Sequence, residues 1–239
     1  MLDPVDIANR ASSTSIALKI GYPNPKFHLT LDDNTSCTFH IQSAHELSPQ
    51  TRSQCFHLFE SNMKQIYLRS ADGYRSSEKE RELFHPDARF LLASHQGQRG
   101  GEEEDDHHHQ HQHPQHETEG IVHGFLMWRF DWEECMSVEE GELEVAYCYE
   151  IQLRPDTRGK GIGKRMMEML ERIGASWGMK KVMLTVQTEN QSAAAFYRAL
   201  DFFPDEISPS QAGQDSGADY EILSKRVAAA AASKPTNTP

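Results

Sequence analysis

The stretch Arg158-Gly159-Lys160-Gly161-Ile162-Gly163-Lys164 follows a predicted strand, which ends at Leu153, and opens a predicted amphipathic helix over residues 161–177. Glycines at a helix N-terminus let backbone N–H groups approach a phosphate closely, and the helix dipole adds partial positive charge there. The stretch is therefore a candidate pyrophosphate cradle. Its spacing differs from the P-loop and from the dinucleotide-binding glycine pattern, and a plain strand-to-helix turn is the alternative interpretation.

Alternating strand and helix patterns surround this turn. Downstream of it, a strand is predicted at 181–186, a helix at 192–200 and a last strand at 220–227. Upstream, hydrophobic periodicity predicts strands at 36–42, 89–93, 121–130 and 143–153, a long helix from Ser48-Pro49 to about Ser70, and a short helix at 77–83. This order of elements predicts an α+β fold, with a mixed central sheet and helices on both faces.

Three segments have compositions that can bury little apolar surface, and we predict that they lie outside the core. They are an N-terminal arm (residues 1–35) with one short helix around Ile7 to Ala17, a histidine-rich insert (94–119) between two antiparallel strands, and a tail (228–239). One domain is therefore predicted over residues 36–227. The histidines of the insert are irregularly spaced, so we predict no functional metal site there.

The chain carries 36 acidic and 24 basic side chains, which gives a net charge of −12. This balance disfavours nucleic acid and anionic membranes as partners and favours a cationic substrate. Four scattered cysteines without a CxxC pair indicate neither a zinc site nor a disulfide framework. The sequence has no apolar run that could cross a bilayer and no apolar leader, so the protein is expected to be soluble and intracellular.

Two motifs at a suitable separation resemble those of the GNAT acetyltransferases. Arg158, Gly161 and Gly163 match the family pattern Arg/Gln-x-x-Gly-x-Gly/Ala, and residues 190–197, Asn-Gln-Ser-Ala-Ala-Ala-Phe-Tyr, match its Asn-x-x-Ala-x-x-Phe-Tyr segment. An approximate Gly-Phe follows as Asp201-Phe202. The resemblance implies a GNAT fold and an enzyme that transfers an acetyl group from acetyl-CoA to an amine.

The same resemblance implies a cofactor site where two parallel strands, 147–153 and 181–186, splay apart. Main-chain groups of Ile151, Gln152 and Leu153 would bind the pantetheine arm, and Asn190 and Ser192 would contact it from the next element. The pyrophosphate would lie on Arg158, Gly159, Lys160, Gly161, Ile162, Gly163 and Lys164. Tyr197 would place its hydroxyl near the thioester sulfur, and packing in the core is its alternative role.

Two further segments, Tyr147-Cys148-Tyr149-Glu150 and Tyr220-Glu221-Ile222-Leu223-Ser224, resemble one histone-specific branch of the family. That branch acetylates the N-terminal serine of histone H4 and of the type-2A histone. The resemblance therefore implies histone N-terminal tails as the partner, and a location in the nucleus and the cytoplasm. We expect a monomer without an auxiliary subunit that has no direct contact with nucleic acid or membrane.

Glu150 is the predicted general base, with Tyr147 and Tyr149 beside it in the catalytic set. Acetyl transfer needs a neutral amine, and a peptide α-amine, with a pKa of about 7.7–8.0, is closer to neutrality in the cell than a lysine side chain at about 10.4. One carboxylate, acting directly or through a water, is then sufficient. Desolvation at a strand splay should raise its pKa, which suits a base. A salt bridge at the rim is the alternative role.

A peptide groove is implied at Tyr67, Asp131, Tyr147, Tyr149, Thr185 and Tyr220. Asp131 would receive the arginine of a Ser-Gly-Arg-Gly N-terminus, and core packing is the alternative role for each tyrosine alone. The sequence departs from the family at three places: Asp72-Gly73-Tyr74 replaces a tryptophan-rich turn, Phe90 a tyrosine and Tyr197 a phenylalanine. Two other functions stay open, namely a GNAT enzyme for lysine side chains or small amines, and an inactive GNAT-fold module that binds histones.

Overall fold

The computed structural model describes residues 3–30, 36–71, 73–94, 121–136, 141–211 and 217–227. Nearly all of the histidine-rich insert, the tail from residue 228, and Asp72 lie outside these residues, so the predictions for them stay predictions. The strands are β1 Lys26–Thr30, β2 Ser36–Ser43, β3 Arg89–Ser94, β4 Val122–Glu134, β5 Glu142–Leu153, β6 Lys181–Gln187, β7 Phe203–Pro204 and β8 Tyr220–Arg226. The helices are α1 Pro4–Asn9, α2 Ser13–Lys19, α3 Pro49–Tyr67, α4 Ser76–Leu83, α5 Ile162–Ser176 and α6 Gln191–Ala199.

All of these strands form one sheet in the order β1-β2-β3-β4-β5-β6-β8-β7. Neighbouring strands are antiparallel except for β5 and β6, which are parallel and joined through α5. The antiparallel pairing of β3 with β4 confirms the predicted partners on either side of the insert. The sheet is therefore mixed, as the sequence predicts.

Two apolar layers cover the two faces of the sheet. On one face α1, α2, α5 and α6 pack on the inward side chains of the strands, and the core of α5 is Ile162, Met166, Leu170 and Ile173. On the other face α3 and α4 contribute residues such as Phe59 and Leu83. This arrangement confirms the predicted helices on both faces. No helix among the described residues is long and apolar enough to span a membrane.

The predicted start of α3 is confirmed by its capping geometry. Ser48 Oγ accepts a hydrogen bond from the Thr51 N–H at 3.0 Å, and Pro49 occupies the first helical position, where its missing N–H costs nothing. The helix ends at Tyr67, three residues before the predicted end. This difference matters for the site because Tyr67, in the last turn, lies beside β5.

The N-terminal arm differs from the prediction that it lies outside the core. Both α1 and α2 are capped, by Asp3 and Ser12, and they bury small and branched apolar residues such as Ala8 and Ile16 against the sheet, while β1 pairs with β2. The buried Arg89 side chain donates to the backbone carbonyl of Asn9. Helices of six and seven residues are too short to show a clear hydrophobic period in the sequence. Such short helices are not stable alone, so their stability comes from tertiary contacts.

The acidic stretch that was predicted as a turn from Glu133 to Glu142 is partly strand. The β4–β5 ladder continues through Glu133↔Leu143 to Glu134↔Glu142, and residues 137–140 lie outside the described residues. Pairing with a long partner strand overrides the low strand propensity of acidic residues. Asp131 and Glu133 therefore stand on a rigid strand next to β5.

Candidate active site

The site begins where β5 and β6 stop pairing. Their parallel ladder runs from Val145↔Lys181 to Cys148↔Leu184 and then ends, although β5 continues to Leu153 and β6 to Gln187. The remaining residues of β5 keep their ladder with β4 on one side only. Their other edge presents main-chain groups to the space between the strands, and an extended ligand can pair with such an edge. The predicted splay is therefore present in the fold.

A β-bulge lies at the same point. Met127 faces Glu150 and Trp128 faces Cys148 across the β4–β5 ladder, which leaves Tyr149 as the extra residue of β5. Bulges bend a strand and redirect its side chains, and they often occur next to active sites. The bulge lies between Tyr149, which is predicted to contact the acceptor peptide, and Glu150, which is predicted to be the base.

A groove of about 1170 Å³ follows the splay. It is lined by most of the predicted site residues: Tyr67, Tyr147, Tyr149, Glu150, Ile151, Gln152, Leu153, Arg158, Gly159, Gly161, Ile162, Gly163, Lys164, Thr185, Asn190, Ser192, Tyr197 and Tyr220. Two predicted residues do not line it. Lys160 is exposed on the glycine turn, and Asp131 lies behind Tyr149.

The glycine turn has the geometry of an anion cradle. Gly159 and Gly161 adopt positive φ angles of 74° and 82°, which residues with a side chain rarely adopt, and Gly161 is the N-cap of α5. Because Gly161 has no side chain, no side chain caps this helix. The first N–H groups of an α-helix have no partner within the helix, so those of Ile162 and Gly163 can bind a ligand. The first turn of α5 contains no acidic residue. These features, with the open edge of β5, fit the phosphates and the pantetheine arm of acetyl-CoA.

Arg158 connects this turn to α3. Its guanidinium donates to Asn62 Oδ1 at 2.7 Å and to the Leu153 carbonyl at 3.3 Å, while Asn62 Nδ2 donates to the Leu153 carbonyl at 3.1 Å and to Gln152 Oε1 at 2.9 Å. The Leu153 carbonyl therefore has protein partners, and the cofactor contacts predicted for the main chain of Ile151, Gln152 and Leu153 stay a prediction. Arg158 fixes the end of β5.

Glu150 lies in the middle of the groove. Gln152 Nε2 donates to Glu150 Oε2 at 2.7 Å, and the Tyr67 side chain forms a further hydrogen bond with the carboxyl. Burial raises the pKa of Glu150 to about 7, although the Gln152 hydrogen bond and the nearby Lys79 favour the charged form. A carboxyl with a pKa near neutrality can accept a proton at cell pH and release it again.

Tyr147 and Tyr149 form an aromatic wall beside Glu150. Their ring centroids are 4.8 Å apart, the Tyr147 hydroxyl lies 2.6 Å from Thr185 Oγ1, and the Tyr149 hydroxyl donates to Asp131 Oδ2 at 3.3 Å. Arg129 stacks on the Tyr149 ring, 3.9 Å from its centroid. Burial raises the pKa of Tyr147 to about 12, so this hydroxyl keeps its proton at neutral pH. These contacts fix both tyrosines in the wall of the groove, on the side that the sequence analysis predicts for the acceptor.

The predicted acceptor side of the groove contains acidic residues. Glu133 lines the groove, and its pKa is raised by burial and by the neighbouring carboxylates of Asp131, Glu134 and Asp205, although the nearby Arg129 lowers it. Carboxylates that raise one another's pKa in this way repel each other when charged, and a cation that binds between them stabilises their charged forms.

The last predicted residues come from α6. Asn190 Oδ1 accepts from the Ala193 N–H at 3.2 Å and from Ser192 Oγ at 3.1 Å, so it caps α6 at the edge of the groove. Tyr197 is buried among aromatic side chains, with its ring centroid 6.2 Å from that of Phe202, and it also lines the groove. Burial raises its pKa well above the usual value, with contributions from Cys148 and Glu150. Tyr197 thus packs in the core and also lines the groove near Glu150.

Comparison with known proteins gives the family. The sequence profile of the acetyltransferase (GNAT) family matches residues 63–202, which is more than half of the chain. The chain belongs to the GNAT family. This confirms the predicted GNAT fold and the predicted enzyme class, an acetyl-CoA-dependent acetyltransferase, with acetyl-CoA as the cofactor.

Individual relatives of this GNAT chain are distant. An uncharacterized N-acetyltransferase of Methanocaldococcus jannaschii, MJ1207, is 33% identical over 91 residues, and this match spans 38% of each chain. The GNAT domain of S. lividans PAT superposes with a TM-score of 0.53 at 8% identity, over 84% of this chain and 96% of that one. Arabidopsis thaliana NAA60 in complex with acetyl-CoA gives a TM-score of 0.53 at 13% identity, over 80% and 98%. These structures share the fold with our GNAT chain.

Sequence reasoning missed five polar residues that line the GNAT groove, namely Asn62, Lys79, Glu82, Glu133 and Gln187. None of them belongs to a motif, and Asn62 meets Arg158 across 96 residues of chain. The only sequence signal was their position on helices or strands next to the predicted site. Among the described residues, no cluster of His, Cys, Asp and Glu has the arrangement of a metal site.

Proposed function

We propose that this GNAT enzyme acetylates the α-amine of protein N-termini that begin with Ser-Gly-Arg-Gly, as in histone H4 and the type-2A histone. The observation that carries the proposal is the position of Glu150. Its carboxyl, with a pKa of about 7, lies between a cradle for acetyl-CoA and an acidic acceptor side that contains Glu133. The groove thus offers a donor site, a base and a cation-binding surface in one continuous space.

In this mechanism the donor is held by the main chain and the helix N-terminus. The open edge of β5 binds the pantetheine arm, and the N–H groups of the Gly159–Lys164 turn bind the pyrophosphate. Acetyl-CoA, when bound, would supply the acetyl group as a thioester: the neutral amine would gain the acetyl group as the C–S bond breaks, and CoA would leave as its thiol. Tyr197, whose pKa is well above neutral, keeps its phenolic proton within the same groove.

Glu150 removes the proton of the acceptor amine. Its carboxylate is oriented by hydrogen bonds from Gln152 Nε2 and from the Tyr67 side chain, and Glu150 lines the groove. A peptide α-amine, with a pKa of about 7.7–8.0, is only slightly more basic than this carboxyl, whereas a lysine amine at about 10.4 holds its proton more strongly by more than two pKa units. A base with a pKa near 7 therefore suits an α-amine better than a lysine side chain.

The third residue of the substrate gives a further reason. A serine and a glycine at the first two positions are small and allow the backbone to approach the groove floor. An arginine at the third position would meet Glu133, which lines the groove and has a raised pKa, while Asp131 lies behind Tyr149 and adds its negative charge from there. A guanidinium can bind the Glu133 carboxylate with charge-assisted hydrogen bonds.

One peptide tests the proposal against its closest rival. Ser-Gly-Arg-Gly-Lys contains both an α-amine and a lysine amine, so the site of acetylation by tandem mass spectrometry separates the two activities. We expect acetylation at the serine, no turnover when the α-amine is blocked, and at least about tenfold lower kcat/KM for Ser-Gly-Glu-Gly-Lys, since a lost ion pair of about 1.4 kcal/mol gives that factor. Acetylation of the blocked peptide at lysine would refute the proposal, and absence of all turnover would favour a histone-binding module.

The remaining parts of the proposal follow from the substrate. We propose that the enzyme binds histone N-terminal tails as a monomer without an auxiliary subunit, and that it is present in both the nucleus and the cytoplasm. It requires no direct contact with nucleic acid or membrane, in line with the net charge of −12. Acetylation of free histone by the purified chain alone tests the first statement, and cell fractionation tests the second.

A further inference from the structure

Helix α4 turns one charged pair toward the active site and another toward solvent. Along its sequence Ser-Ser-Glu-Lys-Glu-Arg-Glu-Leu, only Lys79, Glu82 and Leu83 are partly or fully buried. Lys79 and Glu82 line the groove that contains Glu150. The outer pair, Arg75 and Glu78, has side chains that are 68% and 51% exposed. The two pairs have the same i,i+3 spacing and differ in their surroundings.

The inner pair is connected to Glu150 through Tyr67. Lys79 Nζ lies 2.8 Å from Glu82 Oε2 and 4.2 Å from the centroid of the Tyr67 ring. Tyr67, in the last turn of α3, forms a hydrogen bond with the Glu150 carboxyl. A cation above an aromatic face is attracted to it by about 0.5–2 kcal/mol, depending on desolvation, so Lys79 holds the ring in place. The order of contacts is thus Glu82, Lys79, Tyr67 and Glu150.

We propose that Lys79 is a positioning residue for acetyl transfer, which holds Tyr67 against the Glu150 carboxyl and faces that carboxyl with a positive charge that Glu82 partly offsets. The inference rests on the proposed function, because it takes Glu150 as the base. None of the motifs of the sequence includes Lys79 or Glu82.

The charged and titratable groups around Glu150 come from four elements. They are Tyr67 on α3, Lys79 and Glu82 on α4, Cys148 on β5 and Tyr197 on α6. Of these, Lys79 lowers the pKa of Glu150 and Glu82 raises it. Cys148 and Tyr197 are buried and have raised pKa values, so both are neutral at physiological pH. The balance between Lys79 and Glu82 is therefore the adjustable charge at this site.

Two substitutions on α4 should move the titration of Glu150 in opposite directions. In Lys79→Met the positive charge is lost and the pKa of Glu150 rises, whereas in Glu82→Gln the opposing negative charge is lost and the pKa falls. A purely structural role of α4 would not give shifts of opposite sign. Arg75→Met, at the N-cap of α4, and Glu78→Gln, in its first turn, are the matched controls because both side chains are exposed, and Lys79→Arg keeps the charge.

The experiment titrates the Glu150 carboxyl by ¹³C NMR in the ligand-free protein and, in parallel, follows kcat/KM on the Ser-Gly-Arg-Gly-Lys peptide against pH. We expect the acidic limb of Lys79→Met to move up by at least about 0.3 pH unit, which lowers kcat/KM at pH 6 by about twofold and leaves it nearly unchanged at pH 9. Glu82→Gln should move the limb down, while the two controls and Lys79→Arg should keep the parent value.

The two readouts separate this inference from the proposed function. Opposite NMR shifts support the inference even if the parent protein acetylates no peptide N-terminus, a result that would refute the proposed function alone. Shifts of the same sign, no shifts in either inner variant, or equal shifts in the outer controls would overturn the inference, even if the peptide is acetylated.

Discussion

Replacing Glu150 by glutamine perturbs the proposed base with little change of shape. The glutamine oxygen can still accept the hydrogen bond that Gln152 Nε2 donates at 2.7 Å, but it cannot take up a proton. General-base catalysis typically contributes about 10²–10⁴-fold to a rate. We therefore expect kcat/KM for the Ser-Gly-Arg-Gly-Lys peptide at pH 8 to fall by a factor in that range, while the affinity for acetyl-CoA, measured by calorimetry, stays the same.

The pH dependence gives this prediction a second readout. A profile of kcat/KM reports the free enzyme and the free substrate, so both the Glu150 carboxyl, with a pKa of about 7, and the peptide α-amine, with a pKa of about 7.7–8.0, contribute to the acidic limb. Below pH 6.5 the logarithmic slope should approach about two in the parent enzyme. In Glu150→Gln it should approach about one, because only the amine still titrates.

Stability should change in the opposite direction to activity. The folded protein raises the pKa of Glu150 from 4.5 to about 7, so it disfavours the charged form, and this cost is complete above pH 7 and disappears as the pH falls to 4.5. A difference of about 2.5 pKa units corresponds to about 3 kcal/mol. Glu150→Gln should therefore raise the free energy of unfolding of the ligand-free protein by up to about 3 kcal/mol at pH 8, and by less at pH 5.5, in urea titrations.

Glu142→Gln is the matched control, because Glu142 is an exposed carboxylate at the other end of the same strand. It should keep the parent rate, slope and stability. If Glu150→Gln acetylates the peptide within about twofold of the parent rate, or keeps a limb with the parent slope, Glu150 is not the base.

Three further predictions concern the acceptor side, the cradle and the core. Asp131→Asn combined with Glu133→Gln should raise KM for the Ser-Gly-Arg-Gly-Lys peptide by about tenfold or more, since hydrogen bonds to a charged group contribute about 1.5–3 kcal/mol. The double variant should also have a smaller ratio of kcat/KM for this peptide to kcat/KM for Ser-Gly-Glu-Gly-Lys. An unchanged ratio would contradict the acidic site. Gly161→Ala places a side chain at a φ of 82°, which costs about 1–2 kcal/mol, so we expect the turn to relax in the ligand-free protein. Acetyl-CoA must then restore the cradle, and its binding measured by calorimetry should weaken by about tenfold. Lys181→Met removes the ammonium that lies 2.8 Å from the Asp205 carboxylate, which is only 1% exposed. The free energy of unfolding in urea at pH 7 should therefore fall by about 3–5 kcal/mol. The double variant with Asp205→Asn should recover most of this free energy.

The donor half of the site could be predicted from local sequence. The glycine turn, the apolar face of α5 and the compact strand β6 are adjacent in the chain, and each has its own signal of period or composition. Their arrangement follows because a strand, a helix and a parallel strand pack in few ways. The splay itself was implied by the family resemblance, and the end of pairing at Cys148↔Leu184 agrees with it.

Contacts between distant segments were not predictable in this way. Asn62 is one polar residue of an amphipathic helix, and nothing near it in the sequence shows that it meets Arg158 and Gln152. The same holds for Lys79, whose position over Tyr67 depends on how α4 packs beside α3. Hydrophobic period shows which face of a helix is buried, but it does not show which polar groups meet at the edge of that face.

The direction of β5 explains how donor and acceptor reach the base from opposite sides. At its start, Leu143 and Val145 pair with Glu133 and Asp131, and after its end at Leu153 the chain enters the glycine turn. At about 3.3 Å per residue, roughly 26 Å separate Val145 from Leu153, so the acidic side and the cradle lie at opposite ends of one strand. The carboxylates of the first end repel the phosphates of acetyl-CoA, and the helix N-terminus of the second repels a cationic peptide. Each ligand is thus directed to its own end, and Glu150 lies between them, where the amine and the acetyl group must meet.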